Sequence, residues 1–221
     1  KIRKIQTLQS MGVIVEVCVL PFDQVKELEK SYLAIERKMG AVTGIIHAAG
    51  VCDIDNPAFI RKTPDSINKV LSPKIDGVNN LLPLLDSSSL QFIILFSSVS
   101  SLIPSLGAGQ SDYAMANAYL DYQAYARADS FPVISIQWPS WKDSGMGEVK
   151  TAAYVESGLL SITNEEGLSF LDQILATLAN TNDRSAVVMP VIVDDEKFDP
   201  EMLLLVDSDP KAKILTPNKK N

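Results

Sequence analysis

A chain of 221 residues, 46% hydrophobic and 21% charged, has the composition of an ordinary globular domain with a sizeable buried core. Acidic residues outnumber basic ones by 27 to 20, which argues against a nucleic-acid partner, since such proteins carry a basic face. One histidine leaves little for a metal site or a Ser-His-Asp triad, and no apolar run approaches membrane-spanning length. The two cysteines, Cys18 and Cys52, lie beside apolar runs with no secretory signal ahead of them, so the expectation is two buried reduced thiols in a cytoplasmic protein.

Taken in chain order, Lys1-Ile2-Arg3-Lys4 reads as the middle of a helix. Val13 to Leu20 predicts a buried strand, and Gln24 to Met39 an amphipathic helix ended by Gly40. Val42 to His47 predicts the next strand, followed by a helical stretch from Ser66 to Leu85 that Pro73 interrupts. Gln91-Phe92-Ile93-Ile94-Leu95-Phe96 is strongly β-prone and should form a central strand over Leu90 to Phe96. A helix over Tyr113 to Ala128 and a strand over Val133 to Gln137 follow. Asn164 to Ala179 reads as a helix with Glu165 and Glu166 in its first turn, and Ala186 to Val193 as the strand that closes the sheet.

This alternation predicts the α/β class: a doubly wound parallel sheet, Rossmann-like, with right-handed crossovers and ligands at the carboxyl ends of its strands. Residues 1–206 make up the domain, and the polar stretch 207–221, with Pro210 and Pro217, reads as a linker. There is no internal repeat. A dinucleotide site in such a sheet needs glycines that open a helix directly after a strand. Gly107 and Gly109 do not stand in that context, so the sheet is expected to lack its first strand-turn-helix unit, whether truncated, supplied separately or lost, and the helical reading of Lys1-Ile2-Arg3-Lys4 favours truncation.

The residues that carry chemistry are Ser98, Tyr113, Asn117 and Lys74. Reducing a ketone requires a proton donor at the oxygen, because an unassisted alkoxide is too basic to form. A tyrosine hydroxyl serves if a nearby ammonium brings its pKa toward neutrality. A serine hydroxyl adds a second hydrogen bond to the developing oxyanion, and an asparagine can order water or hold the lysine. Tyr113 and Asn117 are four apart in a helical segment and share a face. Ser98 follows a strand and so lies at the carboxyl edge, with Ser97 and Ser100 as competitors for its role. His47 ends a strand and reads as a satisfied structural histidine. Asp194 and Asp195 read as a solvated strand end with no metal, and Trp138 and Trp141 as wall residues.

Four segments carry a resemblance: His47-Ala48-Ala49-Gly50-Val51, Ser72-Pro73-Lys74-Ile75-Asp76-Gly77, Phe96-Ser97-Ser98-Val99 and Tyr113-Ala114-Met115-Ala116-Asn117-Ala118-Tyr119-Leu120-Asp121. In this order they resemble the catalytic half of a ketoreductase domain from a modular polyketide synthase or mixed polyketide/nonribosomal peptide synthase, a branch of the short-chain dehydrogenase/reductases. The likeness continues through Ser135-Ile136-Gln137-Trp138 to Gly145-Met146-Gly147. It implies NADPH-dependent reduction of a β-ketoacyl thioester, carried on the phosphopantetheine arm of an acyl carrier protein among neighbouring synthase domains. Tyr113 would donate the proton, Lys74 lower its pKa, Ser98 bind the carbonyl oxygen and Asn117 support the proton path. The cofactor contacts it implies are Ala48, Ala49, Gly50, Asp23, Trp138, Pro139 and Ser140. Asp23 stands beside Pro21 where the family has an adenine-contacting aspartate, and Pro139 replaces the glycine usual after the tryptophan. Cys52-Asp53-Ile54-Asp55 departs from the family's stereochemical fingerprint of leucine and two aspartates, and no tryptophan precedes Tyr113 in its loop, which leans toward a D-hydroxy product. The alternative function is a non-catalytic, structural reductase-like module in a megasynthase.

Overall fold

The computed structural model describes residues 2–53, 58–85, 89–128, 132–180 and 185–203. The expected linker over 207–221 and Asp55 of the fingerprint lie outside them. The helices are α1 (Ile2–Ser10), α2 (Val25–Met39), α3 (Pro64–Leu81), α4 (Pro104–Gly107), α5 (Ser111–Arg127), α6 (Ala152–Glu156) and α7 (Asn164–Asn180). The strands are β1 (Gly44–His47), β2 (Phe92–Ser98), β3 (Val133–Trp138), β4 (Leu159–Leu160), β5 (Val187–Val188) and β6 (Ile192–Val193). Four of them form a sheet in the order β1-β2-β3-β5, parallel throughout.

Period-two alternation in β2 and β3 explains how this sheet holds helices on both faces. Ile93 and Leu95 point to one side with Val133 and meet Val78 of α3 and Leu120 and Ala124 of α5. Ile94, Ile134, Ile136 and Trp138 point to the other and meet Leu178, Phe170 and Ile174 of α7. α7 begins in a capping box. Thr163 Oγ1 accepts the Glu166 N–H while the Glu166 carboxylate accepts the Thr163 N–H. α3 begins likewise, with Thr63 and Ser66 capping each other and Pro64 in the first turn.

The structure corrects four expectations. Val13 to Leu20 is not a strand. It has no regular structure, and Ile14 and Val19 are 79% and 89% exposed. A strand has no backbone hydrogen bonds of its own and needs a neighbour, which the described residues do not supply. Pro73 does not break α3, which runs through it from Pro64 to Leu81. Proline forfeits one N–H bond, but the buried face of Val70, Lys74, Gly77, Val78 and Leu81 keeps the helix seated. The last apolar run is two strands rather than one. β5 closes the parallel sheet, Pro190 follows without an N–H to donate, and β6 pairs antiparallel with β4. Both thiols are free, but Cys18 is exposed and Cys52 only half-buried.

Candidate active site

The site is built at the carboxyl ends of β1, β2 and β3, where α3 and α5 cross the sheet. Toward those ends the inward residues on the α5 side change from Leu95 and Val133 to Ser97, Ser135 and Gln137. This polar patch receives Asp121 of α5. Its carboxylate accepts Ser135 Oγ at 2.6 Å, Ser101 Oγ at 2.6 Å and Gln137 Nε2 at 2.8 Å. The sequence motif contains Asp121 without giving it a role, and the signal for one is its place four residues after Asn117, one turn further along the same helix face.

Above it stand the four predicted residues. The Asn117 and Ser98 side chains stand beside the hydroxyl of Tyr113. Burial pushes its pKa up while those two polar neighbours pull it back, so at neutral pH the phenol holds its proton. Ser98 ends β2, and its Oγ accepts the Ser100 hydroxyl at 3.1 Å and the Ser100 N–H at 3.3 Å. The competing serines are placed elsewhere. Ser97 turns to α5 and donates to the Asn117 carbonyl at 3.2 Å, and Ser100 serves as donor to Ser98. Asn117 is fully buried. Its Nδ2 donates to the Tyr113 carbonyl at 2.8 Å, leaving Oδ1 with no partner.

Lys74 reaches the site from α3 and is 4% exposed. Its Nζ donates to the Phe96 carbonyl of β2 at 2.5 Å. Burial lowers its pKa from 10.5 to about 8, and the negative charge of Asp121 works against that fall. The expected influence of its ammonium on the Tyr113 hydroxyl is not among the effects acting on that phenol here, where burial leads.

Gly50 lies against the lysine's path: a β-carbon there would lie 2.9 Å from Lys74 Cε, so a larger residue would require the lysine chain to shift. Gly77 lies against His47 in the same way, and a β-carbon there would come within 3.1 Å of its Cε1. His47 is 4% exposed, packs edge-on against Phe22 and is lowered to about 4 by burial first and then by Lys74. Its ring is neutral at physiological pH. It is not fully satisfied, since Nε2 is buried with no partner.

Of the predicted cofactor contacts, Ala48 and Gly50 are exposed and Ala49 half-buried at the end of β1. Asp23 is exposed just before α2. Trp138, Pro139 and Ser140 are buried. Trp138 packs at a tilt against Phe96 and edge-on against Trp141, with ring centroids 5.3 and 5.0 Å away, and its Nε1 has no partner. Ser140 fastens the following loop. Its N–H donates to the Tyr154 hydroxyl and its Oγ accepts the Val149 N–H at 2.8 Å.

This arrangement suits proton donation to a carbonyl at the sheet edge. Residues 1–143 match the KR domain family model. The chain belongs to the KR domain family. This KR domain is 47% identical over 205 residues to polyketide synthase PksL of Bacillus subtilis, covering 92% of the chain and 4% of that protein. To 6-methylsalicylic acid synthase of Penicillium patulum it is 34% identical over 173 residues, covering 76% of the chain and 10% of the relative. Among solved structures, a ketoreductase from the macrolactin assembly line superposes with a TM-score of 0.73 at 27% identity, over 89% of this chain and 37% of that one. One from the bacillaene assembly line gives 0.70 at 27% identity, over 88% and 47%. The chain thus spans a tenth or less of these curated relatives and under half of these structures. Its fold is the Rossmann-like fold of polyketide synthase ketoreductases, and its family is one of nicotinamide-dependent oxidoreductases.

Proposed function

We propose that this KR domain reduces a β-ketoacyl thioester to the β-hydroxyacyl thioester in polyketide biosynthesis, with NADPH as reductant. The substrate would arrive on the phosphopantetheine arm of an acyl carrier protein, among neighbouring synthase domains in the cytoplasm. The observation that carries this reading is the hydroxyl of Tyr113 beside the Ser98 and Asn117 side chains at the carboxyl end of β2. Similarity to polyketide synthases supports the substrate class.

The residues at the strand ends fit a flat nicotinamide ring: Ala48 and Gly50 carry at most a methyl group, Gly50 lies beside Lys74, and the Asn117 Oδ1 is a buried acceptor without a donor. Ala48, Ala49 and Gly50, the Trp138-Pro139-Ser140 end of β3, and Asp23 would hold the cofactor. When bound, NADPH supplies the hydride. Ser98 hydrogen-bonds the substrate carbonyl oxygen and fixes it beside the phenol. Tyr113, protonated because it is buried, gives its proton to that oxygen as negative charge develops. Lys74 presents its ammonium to the proton path, and Asn117 offers its free Oδ1 to a water that restores the tyrosine proton.

The test is NADPH oxidation with a β-ketoacyl thioester surrogate by the full-length protein. Tyr113→Phe, which keeps the ring and removes the proton, is expected to lower kcat by roughly 100-fold or more with folding unchanged. A second reading, a non-catalytic module, draws on the burial of Trp138, Pro139 and Ser140. It would stand if the wild-type protein neither bound nor oxidised NADPH.

A further inference from the structure

Outside the four residues above, two further charges among the described residues are fully buried, Lys62 and Asp112, whose side chains are both 0% exposed. Lys62 Nζ donates to both carboxylate oxygens, at 2.8 and 2.7 Å. Lys62 directly precedes Thr63, the cap of α3, which carries Lys74. Asp112 lies in the first turn of α5 and directly precedes Tyr113. Its Oδ1 also accepts the backbone N–H of Tyr113 at 2.9 Å. The residue at the start of this helix, Gln110, provides no side-chain cap, so Asp112 is the carboxylate that meets one of the helix's free N–H groups. Gln110 is engaged elsewhere: Cys52 Sγ donates to its Oε1 at 2.7 Å, which ties the loop after β1 to the same helix start.

We propose that Lys62 and Asp112 are positioning residues, which lock the start of the tyrosine helix to the start of the lysine helix and so hold Tyr113 against Ser98. The inference rests on the reductase reading. An exposed aspartate would cap the helix at little cost in water. Sinking it with a lysine incurs a desolvation penalty that the pairing roughly offsets, so what the pair contributes is placement rather than net stability. The placement acts directly on the acid, because the carboxylate holds the Tyr113 backbone itself.

The experiment compares wild type, Lys62→Met/Asp112→Leu and Asp112→Asn in the full-length protein, with NADPH and a β-ketoacyl thioester surrogate. The double variant leaves no lone buried charge. It is expected to melt close to wild type yet to lose tenfold or more in kcat, with KM within twofold. Asp112→Asn keeps the shape and the acceptor for the Tyr113 N–H while removing the charge, and it decides the matter should the double variant not fold; the same split of kcat from KM is expected. Lys62→Arg, which retains the charge, should recover most of kcat. Folded variants with wild-type kcat would overturn the inference and leave the reductase reading intact. Failure of wild type itself to oxidise NADPH would overturn the reading on which both rest.

Discussion

Lys74 is held between two opposing influences, and the balance sets a pH window. Burial brings its pKa from 10.5 to about 8, and the Asp121 charge keeps it from falling further. The unfolded lysine binds its proton up to about pH 10.4, whereas the folded one releases it near 8. The unfolded state therefore holds more protons between those values, and conformational stability rises with pH across them while the charged form, buried at a cost, is present below. Activity runs the other way: if the ammonium serves the proton path, turnover falls above about pH 8. Asp121→Asn is expected to move that alkaline limb of kcat to lower pH, since the lysine loses its supporting charge. A pH–rate profile of the two proteins checks it, and an unmoved limb would remove Asp121 from the site's electrostatics. The same variant unsettles three donors, from Ser101, Ser135 and Gln137, so stability should fall by about 1–3 kcal/mol in denaturant titration.

Among the elements, α7 shows how one missing side chain seats a helix. A β-carbon at Gly167 would lie 2.1 to 2.6 Å from ring atoms of Trp141, so the indole rests directly on the helix backbone. Trp141 in turn packs edge-on against Trp138 at the end of β3, and its backbone bridges to Ile162 just ahead of the helix. Gly167→Val cannot be accommodated by a flexible chain end, because the obstacle is a packed ring. We expect a loss of about 1–3 kcal/mol in stability, with a change in tryptophan fluorescence as the stack is displaced. Thermal melting without either change would mean that the ring moves aside freely. β2 and β3 make a complementary point. Their alternation divides the apolar residues between two helical layers and then, in their last residues, turns serine and glutamine toward Asp121. The strands that build the core also build the floor of the site.

At the scale of the whole molecule, a sheet edge and several apolar side chains stand exposed among the described residues. Among the described residues β1 pairs with β2 on one edge only, and Ile46 is 47% exposed. Ile14, Val17 and Val19 are 79%, 72% and 89% exposed on the segment before α2. Clustered apolar exposure with an unpaired sheet edge favours association. The 221-residue chain by itself is expected to self-associate as concentration rises, and Val17→Lys/Val19→Lys to reduce that tendency. Sedimentation velocity over a concentration series reads both, and a concentration-independent monomer for wild type would refute the expectation.

Sequence alone determined the α/β class, the order of most elements and the candidate quartet of Ser98, Tyr113, Asn117 and Lys74. Those are written in local terms: a period of two or of 3.6, a capping residue, a tyrosine and an asparagine one turn apart. Where the expectation failed, the deciding term was not local. Val13 to Leu20 has the residues of a strand, but strand hydrogen bonds belong to two chains at once and no neighbour is present among the described residues. Pro73 should break a helix by its own chemistry, and the packed face of α3 overrides it. Only tertiary structure could show that Ser97 turns to the Asn117 carbonyl and that Ser100 donates to Ser98, because those partners meet across a packed interface. Only it could pair Lys62 with Asp112, 50 residues apart. An ion pair of that separation leaves no periodic mark in the chain, since its partners are brought together by the docking of two helices on one sheet.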